Sequence, residues 1–171
     1  REIRREMESL GETFVSSGDT EVVFRACVLW GAAAPARFRG MFAIGFWDEQ
    51  ERALLLARDR AGIKPLYVAR GEDGISFASE VRTLLAAGAA RRVLSPRGLL
   101  GDMRLGSVQE PDTLLADVLS FPPGGSLVVS PGRESRSPFD AKGGDSVPRL
   151  ARREIVEELR GRLRGAVRRQ L

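Results

Sequence analysis

Arg58, Asp59 and Arg60 stand together between an apolar run, Leu54-Leu55-Leu56-Ala57, and a turn through Gly62, Ile63, Lys64 and Pro65. Three charges in a row at the end of a central strand cannot all point to solvent. A carboxylate in that position can pair with an arginine and accept backbone amides of the turn. Gly62 supplies freedom in φ, and Pro65 fixes the entry to the next strand. A structural turn with a satisfied ion pair is the simpler reading, and a catalytic role is the alternative. Asp19, after Gly18 in SGDTEV, is also open to two roles. Its side chain can cap a helix by accepting an amide of the first turn, and the same carboxylate could hold a ligand ammonium. Cys27 is the only thiol. As a nucleophile it would need exposure and a nearby base or positive charge. Its place in an apolar stripe predicts burial instead.

The rest of the composition narrows the chemistry. Histidine is absent from all 171 residues, which excludes Ser-His-Asp and Cys-His machinery and His-based metal sites. One cysteine allows no internal disulfide framework, and with no histidine it excludes a structural zinc site. No cofactor or metal is expected within these residues. The glycine-rich stretch PPGG, Pro122 to Gly125, lacks the following Lys-Ser/Thr and a helix start, so it reads as a turn rather than a phosphate cradle. No apolar stretch approaches the length of a membrane span and no secretory signal is visible, so a cytoplasmic location is expected.

The elements that must position these residues follow from periodicity. Ile3, Met7 and Leu10 lie at helical spacing before Gly11. Val22, Val23, Ala26, Cys27 and Trp30 form one apolar stripe of a helix that Gly31 ends. APARFRG is a short helical turn closed by Gly40. Four short runs then read as strands in antiparallel hairpins: MFAIGFWDEQ, RALLLARD, PLYVARG and GISFAS. EVRTLLAAG returns to helix. SPRGLLGDMRLG has Ser95 as cap and Pro96 at the first helical position, and LSFPPGGSLVVSPG joins a turn to a strand. The expected organisation is an α+β body over 1–130, a linker over 131–148 rich in Ser, Pro, Gly and charge, and an amphipathic helix over 149–171.

Charge is unevenly placed. From Arg149 onward eight arginines face three glutamates, a net of +5, and the whole chain carries +4, so residues 1–148 carry −1. The body lacks the electrostatic footprint of a nucleic-acid binder. In the tail, Ile155, Leu159, Leu163 and Val167 fall four apart, which favours docking on a protein partner over binding phosphate. A basic interaction module built on Arg149 to Arg169 is the non-enzyme alternative.

In combination and order, GDTEVVFRACVLWG, GMFAIGFWD, ARDRAGIKPLY, FASEV and PDTLLADVLSFPPGGSLVVS resemble the glutaminase domain of glutamine-hydrolysing asparagine synthetases, over about residues 1–129. EELRGRLRGAVRRQL is similar to the helix that opens their synthetase domain. The resemblance implies an N-terminal-nucleophile hydrolase fold, an αββα sandwich of two antiparallel sheets between helical layers. It implies a cysteine at the mature N-terminus that attacks the carboxamide of glutamine, with its own α-amine as base. Ammonia then passes to a synthetase domain where ATP and Mg²⁺ activate aspartate. By the same resemblance, Asp19 holds the α-amino group of glutamine, beside Gly18 where serine is common. Arg58, Asp59, Gly62 and Pro65 form a scaffold turn facing the second domain. Arg1 matches a point after the family's nucleophile and its Asn-Gly-Glu segment, and the Ser-Gly-Gly-x-Asp-Ser ATP loop would follow Leu171. The expectation is therefore an incomplete sandwich with no catalytic residue of its own, inactive and marginally stable alone, with a sheet edge uncovered. Glutamine and a downstream synthetase domain are the expected partners, with a homodimer left open. A related amide- or β-lactam-forming synthetase, using the domain as scaffold, is the alternative enzyme.

Overall fold

The computed structural model describes residues 2–72, 74–138 and 151–170. Two compact units divide the chain, 1–140 and 141–171.

In the first unit the central strand is apolar on both faces, as a strand covered from two sides must be. β2 (Ala53–Arg58) lies between β1 (Ala43–Asp48) and β6 (Gly125–Ser130). Ala43 is opposite Arg58 and Asp48 opposite Ala53, while Leu54 faces Val129 and Ala57 faces Ser126. Successive side chains of β2 therefore point to opposite faces. Leu55 and Ala57 turn to one side with Ile44. There they meet Met7 of α1 (Glu2–Ser9), Ala26 and Cys27 of α2 (Asp19–Trp30), and Ala34 of α3 (Ala34–Arg37). Leu54 and Leu56 turn to the other side and pack with Leu127, Phe121, Leu66 and Val68. Leu56 is fully buried, so truncating it to Ala would cost about 2–5 kcal/mol.

The second sheet runs β4-β3-β5, with β3 (Tyr67–Gly71) central, β4 (Gly74–Ala78) on one side and β5 (Val118–Ser120) on the other. Val68 and Ile75 belong to the core between the sheets. Tyr67, Ala69 and Val118 face outward, where Leu84 of α4 (Val81–Ala86) covers them. The layers are helix, sheet, sheet, helix. Gly45 of β1 marks a close approach of the two sheets, because the Phe77 ring of β4 fills the space that a Cβ would take. In α5 (Pro96–Leu105) the Ser95 Oγ accepts the Gly98 amide at 3.1 Å, the cap expected from its sequence.

Two expectations are corrected. Residues 133–138 form β7 (Arg133–Pro138), paired with β6 from Gly125↔Pro138 to Ser130↔Arg133. The expected linker therefore starts later, and its remainder falls outside the described residues. β7 is exposed along its whole length, so it carries no apolar alternation to announce it. The second correction concerns Asp19. It is the first helical residue of α2, with Gly18 at the cap and no side-chain cap bond.

The second unit is described over α6 (Arg152–Gln170). Glu154 reaches back to the Ala151 amide at 2.8 Å, one half of a capping box. Glu158 pairs with Arg162 one turn on. Ile155, Leu159, Leu163 and Val167 are exposed.

Candidate functional site

The turn after β2 is held by its own two leading charges. Asp59 is 1% exposed and Arg58 5%. The Asp59 Oδ1 accepts the amides of Ala61 at 3.2 Å and Ile63 at 3.0 Å, and its backbone carbonyl takes that of Gly62 at 3.0 Å. Oδ2 accepts Lys64 at 2.9 Å. All four amides from 61 to 64 therefore end on Asp59, and Pro65 has no amide to satisfy. Arg58 serves the carbonyls: Nη2 donates to Gly62 O at 2.7 Å and Nε to Lys64 O at 2.8 Å. Its Nη1 donates to Phe121 O at 2.6 Å and to the Glu110 carboxylate at 2.9 Å, with the Ser120 hydroxyl at 3.0 Å. Gly62 has φ +63°, and a Cβ there would come within 3.1 Å of the Arg58 guanidinium carbon, so both its backbone shape and its lack of side chain are used. Burial pushes the Asp59 carboxyl up, but the amides of Lys64, Ile63, Phe42 and Ala61 together outweigh it and hold the group below its ordinary range. Arg58 and Asp59 are turned inward, as a structural turn with satisfied charges requires. The arginine's carboxylate partner is Glu110, 52 residues away.

Asp19 lies elsewhere on this framework. It is exposed at the start of α2, where a carboxylate also faces the positive end of the helix. The loop before it is tied by Glu21, which accepts the amides of Val15 at 3.0 Å and Ser16 at 2.6 Å, the Ser16 hydroxyl at 2.8 Å, and Arg25. Those bonds, the Val15 and Ser16 amides first, lower the Glu21 carboxyl to about 2. Arg4 donates to the Gly18 carbonyl at 3.1 Å. The cap role expected of Asp19 is thus replaced by Glu21 holding the loop from two residues further on.

Asp19 lines a cleft of about 600 Å³ together with Met41, Phe42, Lys64, Pro65 and Ser79. The residues come from four separate stretches: the helix start, the lead into β1, the turn after β2, and the end of β4. The lining includes one acidic residue, Asp19, and one basic residue, Lys64, from separate stretches of the chain. Pro65 of the expected turn therefore reaches the cleft, while Arg58 and Asp59 stand behind it. Sequence reasoning missed Met41, Phe42, Lys64 and Ser79 as cleft residues. Lys64 had a local signal, a cation directly before the proline of a tight turn; the others had none. Cys27 is 2% exposed in the helix–sheet core, and burial raises its thiol to about 11. It is a protonated core residue near neutral pH, outside the cleft.

Comparison with known proteins decides the class of this fold. A glutamine amidotransferase domain family matches residues 1–140. The chain belongs to that family. It is similar to glutamine-hydrolysing asparagine synthetase 1 of Bacillus subtilis, 36% identical over 130 residues, 76% of this chain and 20% of that protein. It is also similar to an amidase of Gibberella zeae, 33% identical over 167 residues, 90% of this chain and 24% of that protein. The chain thus spans about a fifth of the length of the curated relatives it matches. Among solved structures it resembles the glutamine phosphoribosylpyrophosphate amidotransferase of B. subtilis, with TM-score 0.57 and 18% identity over 82% of this chain and 26% of that one. That likeness shows the fold: the helix–sheet–sheet–helix body is of the N-terminal-nucleophile hydrolase type, as its sequence led us to expect.

Proposed function

We propose that this glutamine amidotransferase domain supplies the glutamine cleft of a glutamine-hydrolysing asparagine synthetase, in which ATP, aspartate and glutamine give asparagine, glutamate, AMP and PPi. The observation that carries the reading is Asp19 lining an open cleft within a domain of this family. In this reading the Asp19 carboxylate accepts the α-ammonium of glutamine, a charge-assisted bond that a neutral amino-acid analogue cannot make. Gly18 brings the backbone to that position without a side chain of its own. In this reading the attacking thiolate is not Cys27, which is buried and stays protonated near neutral pH. The chain alone is therefore expected to release no glutamate from glutamine, and turnover above background would refute that.

ATP and Mg²⁺ belong, in the same proposal, to a synthetase domain. Among the described residues no group of three or more His, Cys, Asp and Glu side chains is placed to hold a metal ion, so no step is assigned to Mg²⁺ here. The contact of the turn with that domain would be made by its exposed rim, Ile63 and Lys64, rather than by Arg58 and Asp59. α6, whose apolar stripe is exposed, would pack within the synthetase domain. No helix among the described residues is long and apolar enough to cross a membrane, and a cytoplasmic location is part of the proposal.

The experiment uses the natural gene product that carries these residues. Asp19→Asn should raise the KM for glutamine by more than about tenfold, the scale of one lost charge-assisted bond. Synthesis supported by ammonia should continue. An unchanged glutamine KM would overturn the reading. The Gibberella zeae amidase, whose match covers 90% of this chain, supports a second reading in which the acceptor is not aspartate. Assaying ammonia-supported AMP release against a panel of carboxylates separates the two.

A further inference from the structure

We infer that Asp59 is a positioning residue of the glutamine cleft, an inference that rests on the reading just given. Two walls of the cleft come from Met41–Phe42, which lead into β1, and from Lys64–Pro65 after β2. Asp59 lies behind both, 1% exposed. A single oxygen joins them: Oδ2 accepts the Phe42 amide at 3.3 Å and the Lys64 amide at 2.9 Å. The Asp59 amide also donates to the Phe42 carbonyl at 2.9 Å, and its own carbonyl accepts Gly124 at 2.9 Å. The residue is thus tied at both its backbone and its side chain to the wall it supports. Oδ1 meanwhile holds the remainder of the turn through Ala61 and Ile63.

This division of labour between the two oxygens sets what a substitution does. Only an ionised carboxylate offers acceptors on both sides. An asparagine keeps one oxygen and places an N–H₂ donor opposite the other pair of amides, where donor meets donor. Either the turn or the tie between walls is then lost. Because the walls line the cleft, a small displacement between them reaches the ligand, and misplacements near 1 Å alter rates by up to about a hundredfold. Asp59 touches no ligand atom in this scheme. It fixes the distance between groups that do.

The test measures glutamine KM, kcat and ammonia-supported synthesis in the natural gene product. Asp59→Asn should raise glutamine KM roughly tenfold or more, with ammonia-supported synthesis retained as the sign that the remainder of the protein is folded. Asp59→Glu keeps the charge and both acceptors on a longer arm, and covers the case in which the asparagine variant fails to fold. It should raise KM by a smaller factor, about threefold. A residue that only stabilises the fold would lower the melting temperature and leave KM alone well below the melt. An unaltered KM in a folded variant of either kind overturns the inference. Asp19→Asn run alongside separates the two ideas: if it too leaves KM unchanged, the glutamine reading fails, and if it alone raises KM, only the role of Asp59 fails.

Discussion

Asp59 and Asp19 are the same residue in opposite circumstances. Asp59 is buried, and its two side-chain oxygens accept four backbone amides. Asp19 is exposed at the first residue of α2, on the wall of a cleft, and makes no cap bond. The difference teaches where a carboxylate remains available to a ligand. A carboxylate surrounded by unsatisfied amides is consumed by them, because each buried amide left without a partner costs about 1–3 kcal/mol. At the start of α2 the loop amides are already taken by Glu21, so the carboxylate two residues earlier need not serve them. In the proposed reading, structure and ligand chemistry are divided between two aspartates 40 residues apart.

The largest effect that would sharpen the contrast is on stability. Asp59→Ala should cost about 2–4 kcal/mol, since it removes a buried carboxylate that four part-buried backbone amides share as acceptor. Chemical denaturation reads it directly, and a cost below about 1 kcal/mol would break the comparison. Asp59 also predicts an acid limb. Its folded carboxyl sits below the ordinary range, so its contribution is present above the unfolded value near about 3.9 and is lost as pH falls through the lower folded value. Asp59→Ala should lack that part of the acid dependence. Asp19→Asn, by contrast, should change stability by less than about 0.5 kcal/mol while changing glutamine KM.

Cys27→Ala should be intermediate. Filling the site with a smaller side chain in the helix–sheet core should cost about 1 kcal/mol, with no effect on glutamine hydrolysis by the natural gene product. Because burial raises the thiol to about 11, the wild-type chain should lose stability as pH rises from about 9 toward 11, and Cys27→Ala should lose less over that window. The smallest effect is expected at Gly18. Its φ of −68° and ψ of 154° suit any residue, and a Cβ would meet only the Ser16 Oγ at 3.6 Å. Gly18→Ser should therefore be tolerated and add a few tenths of a kcal/mol as a cap, seen as a small rise in melting temperature. A marked loss would mean that the cap position is more crowded than the cleft geometry shows.

Much of the fold was legible where the signal is local. The apolar run Leu54 to Ala57, the Gly62–Pro65 turn, the Ser95 cap and the burial of Cys27 each depend on neighbours within a few residues, and each is present. β7 was hidden because both of its faces are exposed; an edge strand without a buried face has no period to read. The cap role expected of Asp19 failed for a related reason: Glu21 competes for the same loop, and which carboxylate wins depends on the path of Val15 and Ser16. The cleft at Asp19 was legible in part. The resemblance pointed to Asp19, but nothing adjacent to Met41 or Ser79 shows that they share a wall with it.

The amino-acid sequence by itself determined the repertoire: no histidine, one thiol destined for the core, strands of period two, and a charged turn that had to be satisfied from within. Tertiary structure alone decided the partners. Arg58 meets Glu110 across 52 residues, and a single Asp59 oxygen joins Phe42 to Lys64 across 22. The physical reason is range. Helix periodicity, caps and turns are set by bonds between near neighbours, whereas a buried charge takes whichever groups the packing of two sheets brings within about 3 Å, and that packing is a property of the whole domain.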